Sequence, residues 1–143
     1  MRNSVDSKQL SLWGPGLDVL QAVKAAMNKA ARANALSREQ ICDRMSDLAT
    51  EHGIRLQAGN SRRLAPATLE KWLNVADRDH VPGLRALVVF CKVVGDHRAI
   101  QALAAPLGLT LIDERQAALL ERAEIEVEIR RLKRRKQQIE VDL

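Results

Sequence analysis

The chain has 143 residues with a formal net charge of +5, 46% hydrophobic and 29% charged; that is one domain with room for an appendage, and it excludes a large multi-domain enzyme. Aromatics are 2%, namely Trp13, Trp72 and Phe90 with no tyrosine, so the composition argues for an all-helical fold and against readers of single strands that stack bases on exposed rings. The longest apolar run, Ala86 to Cys91, is six residues, no apolar leader is visible, and two cysteines make no disulfide framework; a soluble protein of the reducing cytoplasm, away from membranes, is expected.

Residues 1–16 show no period and end in Trp13-Gly14-Pro15-Gly16, a flexible N-terminal arm with a stop signal. A first helix is expected from Leu17 to Asn34, with Leu17, Leu20, Val23, Met27 and Ala31 on one face. Ser37 and Gln40 make a capping-box pattern for a second helix, whose stripe is Ile41, Met45, Leu48 and Ala49 and whose stop is Gly53. Residues 50–63 read as a connection, with Ile54-Arg55-Leu56 a short extended piece. Pro66 suits the first turn of a third helix, read over 65–76 and buried through Leu69, Trp72, Leu73 and Ala76. A fourth helix spans Gly83 to Val94 after Pro82, apolar through Leu84, Leu87, Val88, Cys91 and Val94. Asp96 caps a fifth, Arg98 to Leu107, which Pro106 and Gly108 close. Asp113 caps a long last helix reaching about Val141. The expected domains are therefore the arm 1–16, a helical unit 17–110 and a terminal helix 111–143.

The positive charge is spread thinly. Residues 37–110 hold ten basic and eight acidic groups, and residues 111–143 hold eight of each. Two clusters stand out: Arg55, Arg62, Arg63 and Lys71, and the run Arg130 to Lys136 with six basic groups in seven residues. In the last helix Ala118, Ile125, Leu132 and Ile139 recur every seven residues, and Ile129 and Leu143 lie four beyond Ile125 and Ile139. This is a coiled-coil seam with Arg122 and Lys136 as imperfections, and it predicts a homodimer through Ile125, Ile129, Leu132 and Ile139. The flanking charges weakly favour a parallel pair and leave an antiparallel packing open. The basic run reads mainly as the solvated outer face of that coil, with a nucleic-acid contact as the alternative.

The segment Leu36-Ser37-Arg38-Glu39-Gln40-Ile41-Cys42-Asp43-Arg44-Met45 resembles the first helix of a lambda-repressor-like helix-turn-helix. Leu64-Ala65-Pro66-Ala67-Thr68-Leu69-Glu70-Lys71-Trp72-Leu73-Asn74 resembles its recognition helix, and Pro82 through Asp96 its covering helix. The resemblance implies a five-helix DNA-binding domain, although about 14 residues join the pair where members of that family use a tight turn. Arg44-Met45-Ser46-Asp47-Leu48, Leu69-Glu70-Lys71-Trp72 and Gly108-Leu109-Thr110-Leu111 are also similar to segments of proteins from Mu-like transposable prophages, which implies a phage-type regulator or accessory protein.

Independently of resemblance, a helix fits the major groove and short side chains at its start reach base edges. Thr68, Lys71 and Asn74 are the base-reading candidates. Arg62 and Arg63 before the helix, and Arg38 in the first turn of the preceding one, are the phosphate candidates. The competing interpretation of each is a solvated surface charge; Trp72 reads as core. His52, His80 and His97 with Cys42 and Cys91 match no zinc spacing, and no phosphate-cradling glycine motif is present. No metal, cofactor or enzymatic activity is expected. The expectation is an all-α, dimeric transcriptional regulator that binds double-stranded DNA. The alternative is a non-enzymatic phage assembly or adaptor protein that uses the same helices to bind protein.

Overall fold

A computed structural model describes residues 16–59 and 61–143; the expectations for residues 1–15 fall outside that range. The regular secondary structure of the described residues is entirely helical, with no strand. The helices are α1 (Leu20–Ala33), α2 (Arg38–Glu51), α3 (Pro66–Leu73), α4 (Leu84–Val94), α5 (Arg98–Ala104) followed by a 3₁₀ turn (Ala105–Leu107), and α6 (Glu114–Asp142). The chain divides after Thr110 into two compact units. No helix among the described residues is long and apolar enough to cross a membrane.

Local chemistry sets most boundaries. The Asp18 carboxylate accepts the Leu20 N–H at 3.2 Å, so α1 starts three residues later than its apolar spacing suggested. Leu17 is therefore not on the buried face but 83% exposed. At the start of α2, Ser37 Oγ accepts the Gln40 N–H at 3.1 Å and Gln40 Oε1 accepts the Ser37 N–H at 2.9 Å, the reciprocal cap its sequence announces. Gly95 ends α4 at φ +67°, a left-handed conformation that a side chain would strain.

The core gathers residues from α1 to α5: Val23, Met27, Ile41, Met45, Leu69, Trp72, Leu87 and Phe90 are all buried. α1 packs on α3 and α5, α2 on α3 and α4, and α4 on α5. In α4 the apolar positions named from the sequence divide between two faces, with Leu87 and Cys91 buried and Val94 packed against the core. Leu84 and Val88 are 79% and 62% exposed, while Ala86, Leu87, Val89, Phe90 and Cys91 turn inward. Arg85 and Lys92, seven residues apart, mark the exposed side, and the fully buried Phe90 ring marks the inward one. Helix α3 is shorter than the expected 65–76. It stops at Leu73, and Ala76 is exposed beyond it.

The terminal unit contrasts with this core. The Asp113 carboxylate accepts the Gln116 N–H at 2.7 Å, and the Gln116 amide oxygen accepts the Asp113 N–H at 3.0 Å. From that cap α6 runs 29 residues with none buried. Ion pairs three or four residues apart, such as Arg131–Glu128 at 2.8 Å and Arg122–Glu126 at 3.2 Å, support it along the surface.

Candidate nucleic-acid interface

Helix α3 has eight residues, too few to be stable by backbone bonding alone, so its position is set by what holds its ends. The N-terminal end is anchored to α2. Buried Ser46 Oγ donates to the Cys42 carbonyl at 2.7 Å and accepts the Leu64 N–H at 3.0 Å. Leu56 and Leu64 are both buried, and the Ile54 N–H bonds the Ala49 carbonyl at 2.8 Å. The long connection thus returns to α2 at both Ile54 and Leu64.

The C-terminal end is held by Lys24 of α1, which is fully buried. Its ammonium donates to the carbonyls of Lys71 at 3.0 Å, Asn74 at 3.3 Å and Asp77. Three N–H donors meet three carbonyls at the negative end of a helix, so the charge is compensated without a carboxylate. The Asp77 carboxylate in turn accepts the backbone N–H groups of Asp79 and His80 at 3.0 Å each and the His80 ring at 2.8 Å. These bonds, the His80 N–H foremost, hold its pKa below the usual carboxylate range.

Sequence reasoning did not single out Lys24. The signal was present: Leu20, Lys24, Met27 and Ala31 share one helical face, so a lysine stands where an apolar residue was due and needs a buried acceptor. The cysteines are both buried. Burial, helped by Asp43, Glu70 and Glu39, pushes the Cys42 thiol up to about 11, which keeps it protonated and a poor nucleophile. Among the described residues no group of three His, Cys, Asp or Glu side chains is placed to hold a metal ion.

The candidate contact residues differ in their freedom. Lys71 and Arg62 are exposed, and Thr68 is half-buried. Arg38 is half-buried and paired with Glu70 at 2.8 Å. Arg63 is exposed and lies 3.5 Å from Asp43 and 3.1 Å from Asp47. Asn74 is not within the helix as its base-reading role required. It follows the last residue, and its side-chain oxygen accepts the Ala76 N–H at 3.0 Å.

Two polar clefts lie at the two ends of α3. The one before its N-terminus, about 390 Å³, has Arg55, Arg62 and Arg63 among its lining and no acidic residue. The one along its C-terminal half, about 380 Å³, brings Asn28, Arg32, Arg38, Lys71 and Asn74 around a single carboxylate, Glu70. Arg32 was not a candidate from sequence, because only the packing of α1 on α3 brings it there. A third, more apolar cleft of about 650 Å³ lies where Thr68 and Trp72 of α3 approach Val81, Leu84 and Ala86, with Arg55 and Arg85 also lining it.

On α6 the seam residues Ile125, Ile129, Leu132 and Ile139 are each about half exposed, so their row is uncovered within the helix itself. Comparison with protein-family models, curated proteins and solved structures found no match. The functional reading therefore rests on this geometry and on the sequence resemblances given above.

Proposed function

We propose that this chain is a DNA-binding transcriptional regulator of phage or prophage type that reads duplex DNA as a homodimer through α3. The observation that carries the reading is the pair of arginine-rich clefts at the two ends of a short, doubly anchored helix. A helix entering the major groove meets phosphates on both sides, and cations at its two ends suit that geometry. Lys71 is the base-reading or phosphate-reaching side chain, with Thr68 beside it. Arg32, Arg55, Arg62 and Lys71 make no ion pair among the described residues, and Arg38 and Arg63 exchange their carboxylates for phosphates on binding. The seam of α6 supplies the dimer.

Duplex binding by the full-length chain, followed by fluorescence anisotropy across a salt series, tests this. Replacing Arg62 or Lys71 by Ala should weaken binding several-fold and lower the salt slope by about one unit. No salt-sensitive duplex binding at low ionic strength would sink the regulator reading.

The adaptor reading has its own observation. Leu84 and Val88 are exposed one turn apart beside the apolar cleft under Trp72, and such a surface suits a protein partner. A Leu84→Asp variant that retains full duplex binding but loses a co-purifying protein would favour it.

A further inference from the structure

Helix α6 exposes every residue, and its charge is segregated along its length. Residues 114–128 carry five acidic and two basic groups, whereas residues 129–143 carry six basic and two acidic. Within the helix Glu126 pairs with Arg122, Glu128 with Arg131 and Glu140 with Lys136. Lys133, Arg134 and Arg135 make no ion pair among the described residues. The basic half thus has cations left without an acid within the helix.

We infer that α6 pairs with α6 of a second copy of this chain in the antiparallel sense. The inference rests on the dimeric reading above and goes beyond it by setting the orientation. With Ala118, Ile125, Leu132 and Ile139 at the d positions, Arg122, Ile129, Lys136 and Leu143 fall at a. A parallel pair sets each a residue against its own copy, so Arg122 meets Arg122 and Lys136 meets Lys136 in the seam. It also lays the acidic half on the acidic half and the basic half on the basic half.

The antiparallel pair removes both conflicts, because each a residue then faces a d residue. Centred between Ile129 and Leu132, it sets Ile129 on the partner's Leu132. Arg122 faces the partner's Ile139, Lys136 faces the partner's Ile125, and Ala118 faces the partner's Leu143. Each charged side chain lays its methylene stem on an isoleucine and turns its head to water. Beside the seam Glu128 meets the partner's Arg135, and Glu126 meets the partner's Lys133; Glu121 meets the partner's Asp142 at the solvated end. The flanking pairs tally equally in the two orientations, with two attractive kinds and one repulsive kind in each. The seam layers and the segregated charge therefore decide. The two Asp113 caps of the dimer then stand about 50 Å apart along the coil at 1.5 Å per residue, wider than the roughly 34 Å of one DNA turn.

A spin label at Ala117→Cys in the full-length chain reads the orientation directly. Ala117 is exposed, the native cysteines are buried, and the unsubstituted chain serves as the labelling blank. Pulsed dipolar spectroscopy should give an inter-label distance of about 40 Å for the antiparallel pair. A distance near 20 Å or less overturns the orientation and leaves the dimer standing. A chain that sediments as a monomer at tens of micromolar overturns both.

A charge exchange gives a second measurement. Glu128→Arg alone should weaken dimerisation about tenfold, since two symmetry-related pairs become repulsive. Adding Arg135→Glu should restore it, because residues 128 and 135 face each other only in the antiparallel pair. In the parallel pair the second change sets Glu against Glu140 and weakens the dimer further, which would overturn the proposal.

Discussion

The two units of this chain differ in composition, since residues 111–143 carry no aromatic residue, cysteine, methionine, glycine or proline, and they are held together by different physics. In the globular unit each helix is short, and the eight-residue α3 is held by Leu69, Trp72 and Leu73 in the core and by side chains from α1 and α2. The terminal helix is 29 residues long and buries none of them. Its support is a capping box, surface ion pairs and intrinsic propensity, each worth a few tenths to about one kcal/mol. Burial makes position specific in the first unit. In the second, local bonding makes a helix and leaves its apolar row exposed.

The strongest way to break that contrast is Phe90→Ala. The ring is fully buried, and its loss should cost the globular unit about 3–5 kcal/mol. Denaturant unfolding followed by tryptophan fluorescence of a Trp13→Phe background, which leaves Trp72 as the reporter, should show the loss, while the helical signal of an isolated 111–143 peptide has no such residue to lose. An unchanged midpoint would mean that the α4 face is packed differently.

Next in size is Lys24→Met, which keeps the stem and removes the ammonium from three carbonyls. We expect about 2–4 kcal/mol of destabilisation from the orphaned carbonyls. Amide exchange should accelerate most in α3 and residues 74–80, which Lys24 ties to α1. If the loss of protection were uniform across the unit, Lys24 would be only a buried stem.

The terminal helix should respond only to small local changes. Asp113→Ala removes its cap and should cost about 1 kcal/mol, seen as lower helicity in circular dichroism, with the unfolding midpoint of residues 16–110 unmoved. A shift of that midpoint would show the two units to be coupled.

At neutral pH the last effect is silent, because it is alkaline. The Cys42 thiol is raised to about 11 by burial, and burial likewise raises Cys91. Each thiol keeps its proton in the folded state at a pH where the unfolded chain has lost it. Stability is therefore undiminished below about pH 9 and falls from there as pH rises toward 11. The globular unit should follow that curve, and a 111–143 peptide, which has no cysteine, should not.

How much was legible depends on where the information lies. The capping box at Ser37–Gln40 and the cap at Asp113 were readable because a cap is made between residues a few positions apart, and chain connectivity alone brings them together; the Gln116 half of the second box was found only in the structure. The start of α3 at Pro66 and the stop at Gly95 were readable for the same reason, since each depends on the backbone freedom of one residue. The inward face of α4 was legible only in part: Leu87 and Cys91 are buried as named, whereas Leu84 and Val88 lie on the side that carries Arg85 and Lys92. Lys24 and Arg32 joined α3 through the packing of α1, across more than forty residues of sequence, and Arg63 found Asp43 and Asp47 only once the 52–65 connection had folded back. By itself, then, the sequence determined what local geometry controls: helices, caps, stops and the heptad row of α6. The tertiary structure decided which side chains are buried, which cations are already paired and which line the clefts of α3, because burial and charge pairing depend on distances between segments that no local pattern encodes.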